Sequence, residues 1–377
     1  MKDINTSAFF ALLRAGLWNK EVRLSPCGKV NYEEIMRLAE EQAVVGLVTA
    51  GLEHVVDVKV PQDELLQFIG STLQIEQENL AMNRFIAVLL EKLRKKDVHA
   101  VLVKGQGIAQ CYEKPLWRAS GDVDLFLSED NYNKAKEVVV PLASSVEDEY
   151  VEEKHLGMTI EDFVVELHGS LRVGLSQRIN RVLDDIRNDT FAGGNVRSWN
   201  NNGTQVFLLS VENDAFYVFT HILQHFFIEG VGLRQICDWC RLLWTYREKL
   251  DKKALESRIK QMGLVSEWKA FAALAVEWLG MPKDAMPMYD ESPRWNKKAN
   301  SIIEFIMMSG NMGHNRGSWL MEHDSWLSRQ FVVRKAFSMF RRIGDLVNHA
   351  RIFPMDSLRF FPRIMFYGIR SAVRGEG

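Results

Sequence analysis

The chain has 377 residues, 47% of them hydrophobic and 25% charged, and a net charge of only −2. Such a balance suits a globular protein of two or three subdomains and excludes a global field for polyanions, so any phosphate or nucleic-acid site must be local. Four cysteines exclude a disulfide framework, and no run reaches the roughly 18 apolar residues of a spanning helix. The short apolar run Ala8–Leu13, preceded by Asp3 and cut off by Arg14, does not read as a secretory signal, and a cytoplasmic location is expected.

Residues 1–97 read as helical. Tyr32–Ala50 carries Ile35, Met36, Leu38, Ala39, Ala43 and Val44 at helical spacing, with Gly51 as the expected stop. Leu65–Lys96 is a second long helical region with Leu80, Phe85, Leu89, Leu90 and Leu93 on one face. The texture then changes. Ala100–Val103 is a short strand that stops at Lys104-Gly105, Gly107–Tyr112 a short helix, and Pro115–Gly121 a stretch of turn formers. Asp122–Leu127 reads as a strand and Ser128–Val139 as a helix capped by Ser128, with Glu129 and Asp130 in its first turn. Met158–Leu167 holds one or two further extended segments, and Ala192–Thr204 is a loop or hairpin turn.

From about 208 the chain returns to helix: Asn213–Phe227, Leu233–Tyr246, Lys253–Met262, Ser266–Leu279 and Ala299–Met308. The tail 329–377 has ten cations against three acids, interleaved with Phe, Ile and Met. The expected fold class is α+β, a small mixed sheet with flanking helices between N-terminal and C-terminal helical regions. The expected division is 1–97 helical, 98–205 core, 206–328 helical cleft wall, and 329–377 basic amphipathic segment.

The chemistry concentrates in Ser120-Gly-Asp-Val-Asp-Leu-Phe-Leu127. Residues two apart on a strand share a face, so Asp122 and Asp124 lie side by side while Val123, Leu125 and Leu127 take the other face. Paired carboxylates repel and are costly to desolvate, and a divalent cation such as Mg²⁺ (or Mn²⁺) relieves both. Gly121 permits close backbone approach. Glu166 interrupts the apolar strand Phe163-Val-Val-Glu-Leu-His168, with His168 on the same face; an adjacent strand would set Glu166 beside the aspartates, the two-metal arrangement. Lys104, Gly105 and Arg118 are the candidate phosphate contacts.

Val101-Leu-Val-Lys-Gly105, Arg118-Ala-Ser-Gly-Asp-Val-Asp-Leu125 and Val165-Glu-Leu-His168 resemble the signature of the uncharacterised bacterial nucleotidyltransferases, within the superfamily of DNA polymerase β and the aminoglycoside nucleotidyltransferases. The resemblance covers about residues 85–170, and more loosely His221–His225 and Gly232–Asp238. It implies metal-dependent transfer of a nucleotidyl group from a nucleoside triphosphate such as ATP to a hydroxyl acceptor. Asp122, Asp124 and Glu166 would be metal-binding and catalytic; Lys104, Gly105, Arg118, Gly121 and His168 would bind substrate. Departures are Gln106 after Gly105, a longer gap to Asp122, and a glutamate at 166 where aspartate is commoner.

Other features have plainer readings. His221 and His225 are spaced i,i+4 on a helix and read as packing residues, with zinc or the acceptor pocket as alternatives. Cys237 and Cys240 read as buried cysteines. Asp238 with Arg234 and Arg241 reads as a helix-surface ion-pair set, with Arg234 alternatively facing the nucleotide. The basic tail reads as an amphipathic helix packed on its own protein, the alternative being contact with a membrane surface or polyanion. The rival functional readings are a catalytically degenerate nucleotide binder and an interaction module.

Overall fold

The structure, a computed structural model, describes residues 3–228, 230–311 and 344–374, with side chains described as far as 365. Helix α1 (Ile4–Trp18) is capped by Asp3, whose carboxylate accepts from Thr6 N. Residues 32–50 form two helices rather than one: α2 (Tyr32–Glu41) and α3 (Val45–Leu52), broken where Ala43 takes a φ of 53°. Gly51 is not the stop. It lies inside α3, where a Cβ would meet Leu12 O at 2.0 Å, and a Cβ on Gly16 would meet Leu47 O at 1.9 Å. These glycines let α1 and α3 cross at backbone contact, a demand the helical periodicity does not reveal.

Helix α4 (Gln62–Arg94) runs 33 residues and lays Met82, Phe85, Ile86, Leu89, Leu90 and Leu93 on the sheet. The sheet has seven strands: β1 (Ala100–Val103), β2 (Val123–Leu127), β3 (Ser145–Val146), β4 (His155–Ile160), β5 (Phe163–His168), β6 (Val196–Asn201) and β7 (Thr204–Leu209), in the order β3-β4-β5-β2-β1-β7-β6. Strands β1 and β2 are antiparallel, β2 and β5 parallel, and β1 and β7 parallel. The region expected as a loop or hairpin turn contains β6 and its turn. Asn202 (φ 50°) and Gly203 (φ 96°) form the two-residue connection, the positive-φ pair that such a tight hairpin needs.

Between the strands lie α5 (Gly105–Ala109), α6 (Glu129–Val139) and α7 (Gln177–Arg187). Ser128 caps α6 by accepting from Asn131 N, as its sequence predicts. The helical part comprises α8 (Val211–Ile228), α9 (Leu233–Thr245), α10 (Lys252–Met262), α11 (Val265–Glu277) and α12 (Pro293–Ser309), then α13 (344–352) and α14 (Pro354–Arg374). Among the described residues no helix is long and apolar enough to cross a membrane.

The sheet separates two cores. One face, with Leu102, Val123, Leu125, Leu127, Val165 and Leu167, packs under α4 and α6. The other turns Val101, Val103 and Phe126 toward the larger helical core. In the basic tail, Ile352, Phe353, Phe360 and Ile364 are buried in that helical core, in line with packing on its own protein. Residues 329–343 of the tail lie outside the described residues.

Candidate active site

Strand alternation places the acids. Val123, Leu125 and Leu127 point into the apolar core beneath α4, so Asp122 and Asp124 emerge on the opposite face. Because β5 runs parallel beside β2, Asp124 is in register with Glu166 and Phe126 with His168. Carboxylate oxygens of Asp122, Asp124 and Glu166 come within 4.8 Å of one another. The expected juxtaposition of the three acids is therefore present.

Charges are arranged around Asp124, which is fully buried. Its Oδ1 lies 2.8 Å from Lys104 Nζ and 2.8 Å from His168 Nε2. Its Oδ2 is also buried and has no hydrogen-bond partner among the described residues. Burial and the neighbouring Asp122 push the Asp124 carboxyl above the ordinary aspartate range, against the pull of Lys104 and His168. Burial likewise works against the Lys104 ammonium, but Asp124 and the other acids outweigh it and hold its pKa well above the usual lysine value. Glu166 is pushed up by burial and more strongly down by hydrogen bonds from His155 and His168, leaving it below the usual carboxylate range. His168, opposed by burial but hydrogen-bonded to Asp124 and Glu166, is raised to about 9.

Lys104 sits at a strained turn. Its φ of 56° is unusual for a residue with a Cβ, and Gly105 follows at φ 41°. This turn after β1 aims the lysine back at Asp124, and Nζ also donates to His221 Nε2 at 3.1 Å. Burial and Lys104 keep His221 well below the usual histidine pKa, consistent with a neutral ring accepting from the ammonium. Gln106 is buried and donates from its amide to Asn79 of α4, away from the cleft.

Asp122 brings the cluster to a cleft of about 480 Å³ whose lining also includes Lys104, Gly105, Arg118, Gly121 and His221. Arg118 is held by Asp238 through two bonds, Nε to Oδ1 at 3.0 Å and Nη2 to Oδ2 at 2.6 Å, while Tyr112 Oη donates to Asp238 Oδ1 at 2.7 Å. The remaining Nη1 of Arg118 is buried without a partner among the described residues. Arg234, also in the lining, donates to Ala119 O at 3.1 Å and Ser120 O at 3.3 Å, and so fixes the loop before Asp122. This corrects the surface ion-pair reading. Asp238 is 3% exposed and Arg241 4% exposed; the first clamps Arg118, and the second donates to Cys111 O and Leu17 O.

The sequence reading overlooked His155, whose Nε2 lies 3.1 Å from Glu166 Oε2, and the contact of His221 with Lys104. His221 and His225 line the cleft and belong to no group of three metal-binding side chains among the described residues. Cys237 and Cys240 are buried free thiols, as expected.

Three clustered carboxylates thus lie beside the Lys104 turn and a cleft lined by Arg118 and Arg234. The chain belongs to the family described as "Uncharacterised nucleotidyltransferase", whose sequence profile matches residues 28–280, more than half of its length. No curated protein and no solved structure matches it. The matched span runs from before α2 to the end of α11, so the family is defined by the helical walls as well as by the strands.

Proposed function

We propose that this protein is a metal-dependent nucleotidyltransferase that moves a nucleoside monophosphate group from a nucleoside triphosphate, such as ATP, to a hydroxyl acceptor. The observation that carries the reading is the convergence of Asp124 and Glu166, from parallel strands, with Asp122, just before β2, at the edge of a basic cleft. The donor set fits a hard divalent cation: all three ligands are oxygen donors, and buried Asp124 Oδ2 has no other partner among the described residues. Held there, Mg²⁺ or Mn²⁺ would neutralise the triphosphate and polarise its α-phosphate.

The remaining work falls to the protein's own groups. Lys104 and the free edge of Arg118 bind phosphate oxygens, and Gly105 and Gly121 let the phosphate chain approach the backbone. His168 keeps Asp124 oriented toward the cleft. Glu166 takes part in removing the proton from the acceptor hydroxyl. The acceptor oxygen bonds to the α-phosphorus, the bond to the β-phosphate oxygen breaks, and pyrophosphate leaves.

Helices α8 and α9, which line the cleft through His221, Ile222, Arg234 and Gln235, select the acceptor; the core expected over 98–205 extends through β7 to Leu209. A cytoplasmic location supplies the nucleotide. The superfamily of DNA polymerase β is the relationship this chemistry favours. Gln106, one of the departures from the family pattern, is buried and bonded to Asn79 of α4.

Labelled nucleotide tests the reaction class. With Mg²⁺ and a pool of hydroxyl acceptors, label from the α-phosphate should move to the acceptor and γ-label should leave as pyrophosphate. Transfer of γ-label would instead show a kinase and overturn the proposal.

A further inference from the structure

Beside the all-oxygen cluster lies a second set of donors. His155 on β4 and His168 on β5 are cross-strand partners in an antiparallel pair, so their imidazoles share the face that carries Glu166. The rings stack at 4.7 Å and 17°, and Tyr150 stacks on the far side of His155. Both Nε2 atoms are thereby aimed at one oxygen: His155 Nε2 lies 3.1 Å and His168 Nε2 3.2 Å from Glu166 Oε2. Opposite Glu166 in the register stands Gly157, which leaves room for the Glu147 carboxylate to lie against the strand there.

We propose that His155, His168 and Glu166 form a second metal site, one that takes a borderline transition cation of the Zn²⁺ or Co²⁺ class, with Glu166 shared between it and the oxygen-only cluster. The first argument is spacing. Donors that each lie about 2.0–2.2 Å from one cation are about 3.0–3.5 Å apart, the separation of each imidazole nitrogen from Glu166 Oε2, and the three donor atoms all lie within 4.8 Å of one another. The second is hydrogen-bond capacity. His168 Nε2 is within 2.8 Å of Asp124 Oδ1 and 3.2 Å of Glu166 Oε2, yet an imidazole nitrogen carries at most one hydrogen. One proton cannot serve both oxygens well, whereas a cation taken by His168 Nε2 and Glu166 Oε2 would leave Asp124 Oδ1 to Lys104, 2.8 Å away. The third is donor chemistry. Two imidazoles and a carboxylate suit transition metals over Mg²⁺. His155 and Glu166 are about a quarter exposed, so an ion can enter. The site stands on its own geometry and does not depend on nucleotide transfer.

The test uses the full-length protein stripped of metal and titrated with CoCl₂ alone, following stoichiometry and visible absorption. Wild type should show a visible band from a nitrogen-ligated ion. His155→Ala should lose that band and bind that ion at least about tenfold more weakly, since even outer partners of a metal ligand are worth about 10–100-fold. His155→Gln serves as a second variant, with a thermal melt on each to confirm folding. Asp122→Asn should keep the band. Folded His155 variants that bind Co²⁺ with wild-type stoichiometry, affinity and spectrum would overturn the site and leave the histidines as hydrogen-bond partners of Glu166. Metal-dependent nucleotide binding on the same samples reports separately on the carboxylate cluster. Its absence beside a His155-dependent Co²⁺ band would sink the transferase reading and leave this site standing.

Discussion

Two charged clusters border the same cleft and are built in opposite ways. The strand-borne cluster gathers Asp122, Asp124 and Glu166 against Lys104 and His168 and leaves a buried oxygen of Asp124 without a partner among the described residues. The helix-borne cluster satisfies Asp238 completely, with two bonds from Arg118 and one from Tyr112. Both are buried, so burial alone does not separate chemistry from architecture. The difference is pairing: the strand-borne cluster leaves a buried carboxylate oxygen without a partner among the described residues, on which the proposed cation site rests, whereas the carboxylate of Asp238 is matched bond for bond and holds two segments together.

Substitution should divide the two clusters. The largest effect is expected for Asp122→Asn/Asp124→Asn. Turnover should fall by at least about a thousandfold, because ligands that stabilise the reacting phosphates act mainly in the transition state. A thermal melt on the double variant separates this loss from unfolding, since the exchange relieves the repulsion between the two acids but also takes the buried counter-ion from Lys104. Asp238→Ala should act first on stability, with a smaller loss of turnover because Asp238 holds Arg118 in the cleft. It strands the Arg118 guanidinium in the interior, and breaking such a pair costs about 3–5 kcal/mol, readable as a shifted denaturant midpoint. Leu125→Ala, one residue from Asp124 but on the apolar face, should cost about 2–5 kcal/mol by leaving a cavity under α4.

A smaller effect should appear in the pH dependence of the metal-free protein. His168 is raised to about 9 in the folded chain, so its stabilisation is complete below its unfolded pKa and is lost as the pH rises through about 9. Glu166 is held low, so its stabilisation is present above the ordinary glutamate pKa and lost on acidification. Melting temperature should therefore be highest between these limits, and His168→Gln should flatten the alkaline limb by on the order of 1–3 kcal/mol. The smallest effect belongs to the exposed pair Arg172–Asp184, whose removal should change stability by less than about 1 kcal/mol.

Much of the strand-borne cluster was legible because its information is local. Asp122 and Asp124 share a face by the two-residue period of a strand, Ser128 announces a helix, and Lys104-Gly105 marks the end of an apolar run. Glu166 needed one further step, that an apolar strand interrupted by a single acid lies next in the sheet. The helix-borne cluster was not legible, because Arg118 and Asp238 are 120 residues apart and nothing near either one names the other. His155 escaped for a related reason. Its place opposite His168 depends on the tight turn at Glu161 and Asp162, where Glu161 takes φ 55°, and a one-residue slip there would turn the ring to the other face. Gly51 was misread because a glycine that ends a helix and one that admits a crossing helix look the same in sequence.

The most direct test of the central claim is a calorimetric titration of nucleoside triphosphate into the wild type and into Asp122→Asn/Asp124→Asn, each with and without Mg²⁺. Binding that requires the cation and is lost in the folded double variant is the expected result. A folded wild type that binds none of the four common nucleoside triphosphates, or a double variant that binds them as well as wild type does, would contradict it.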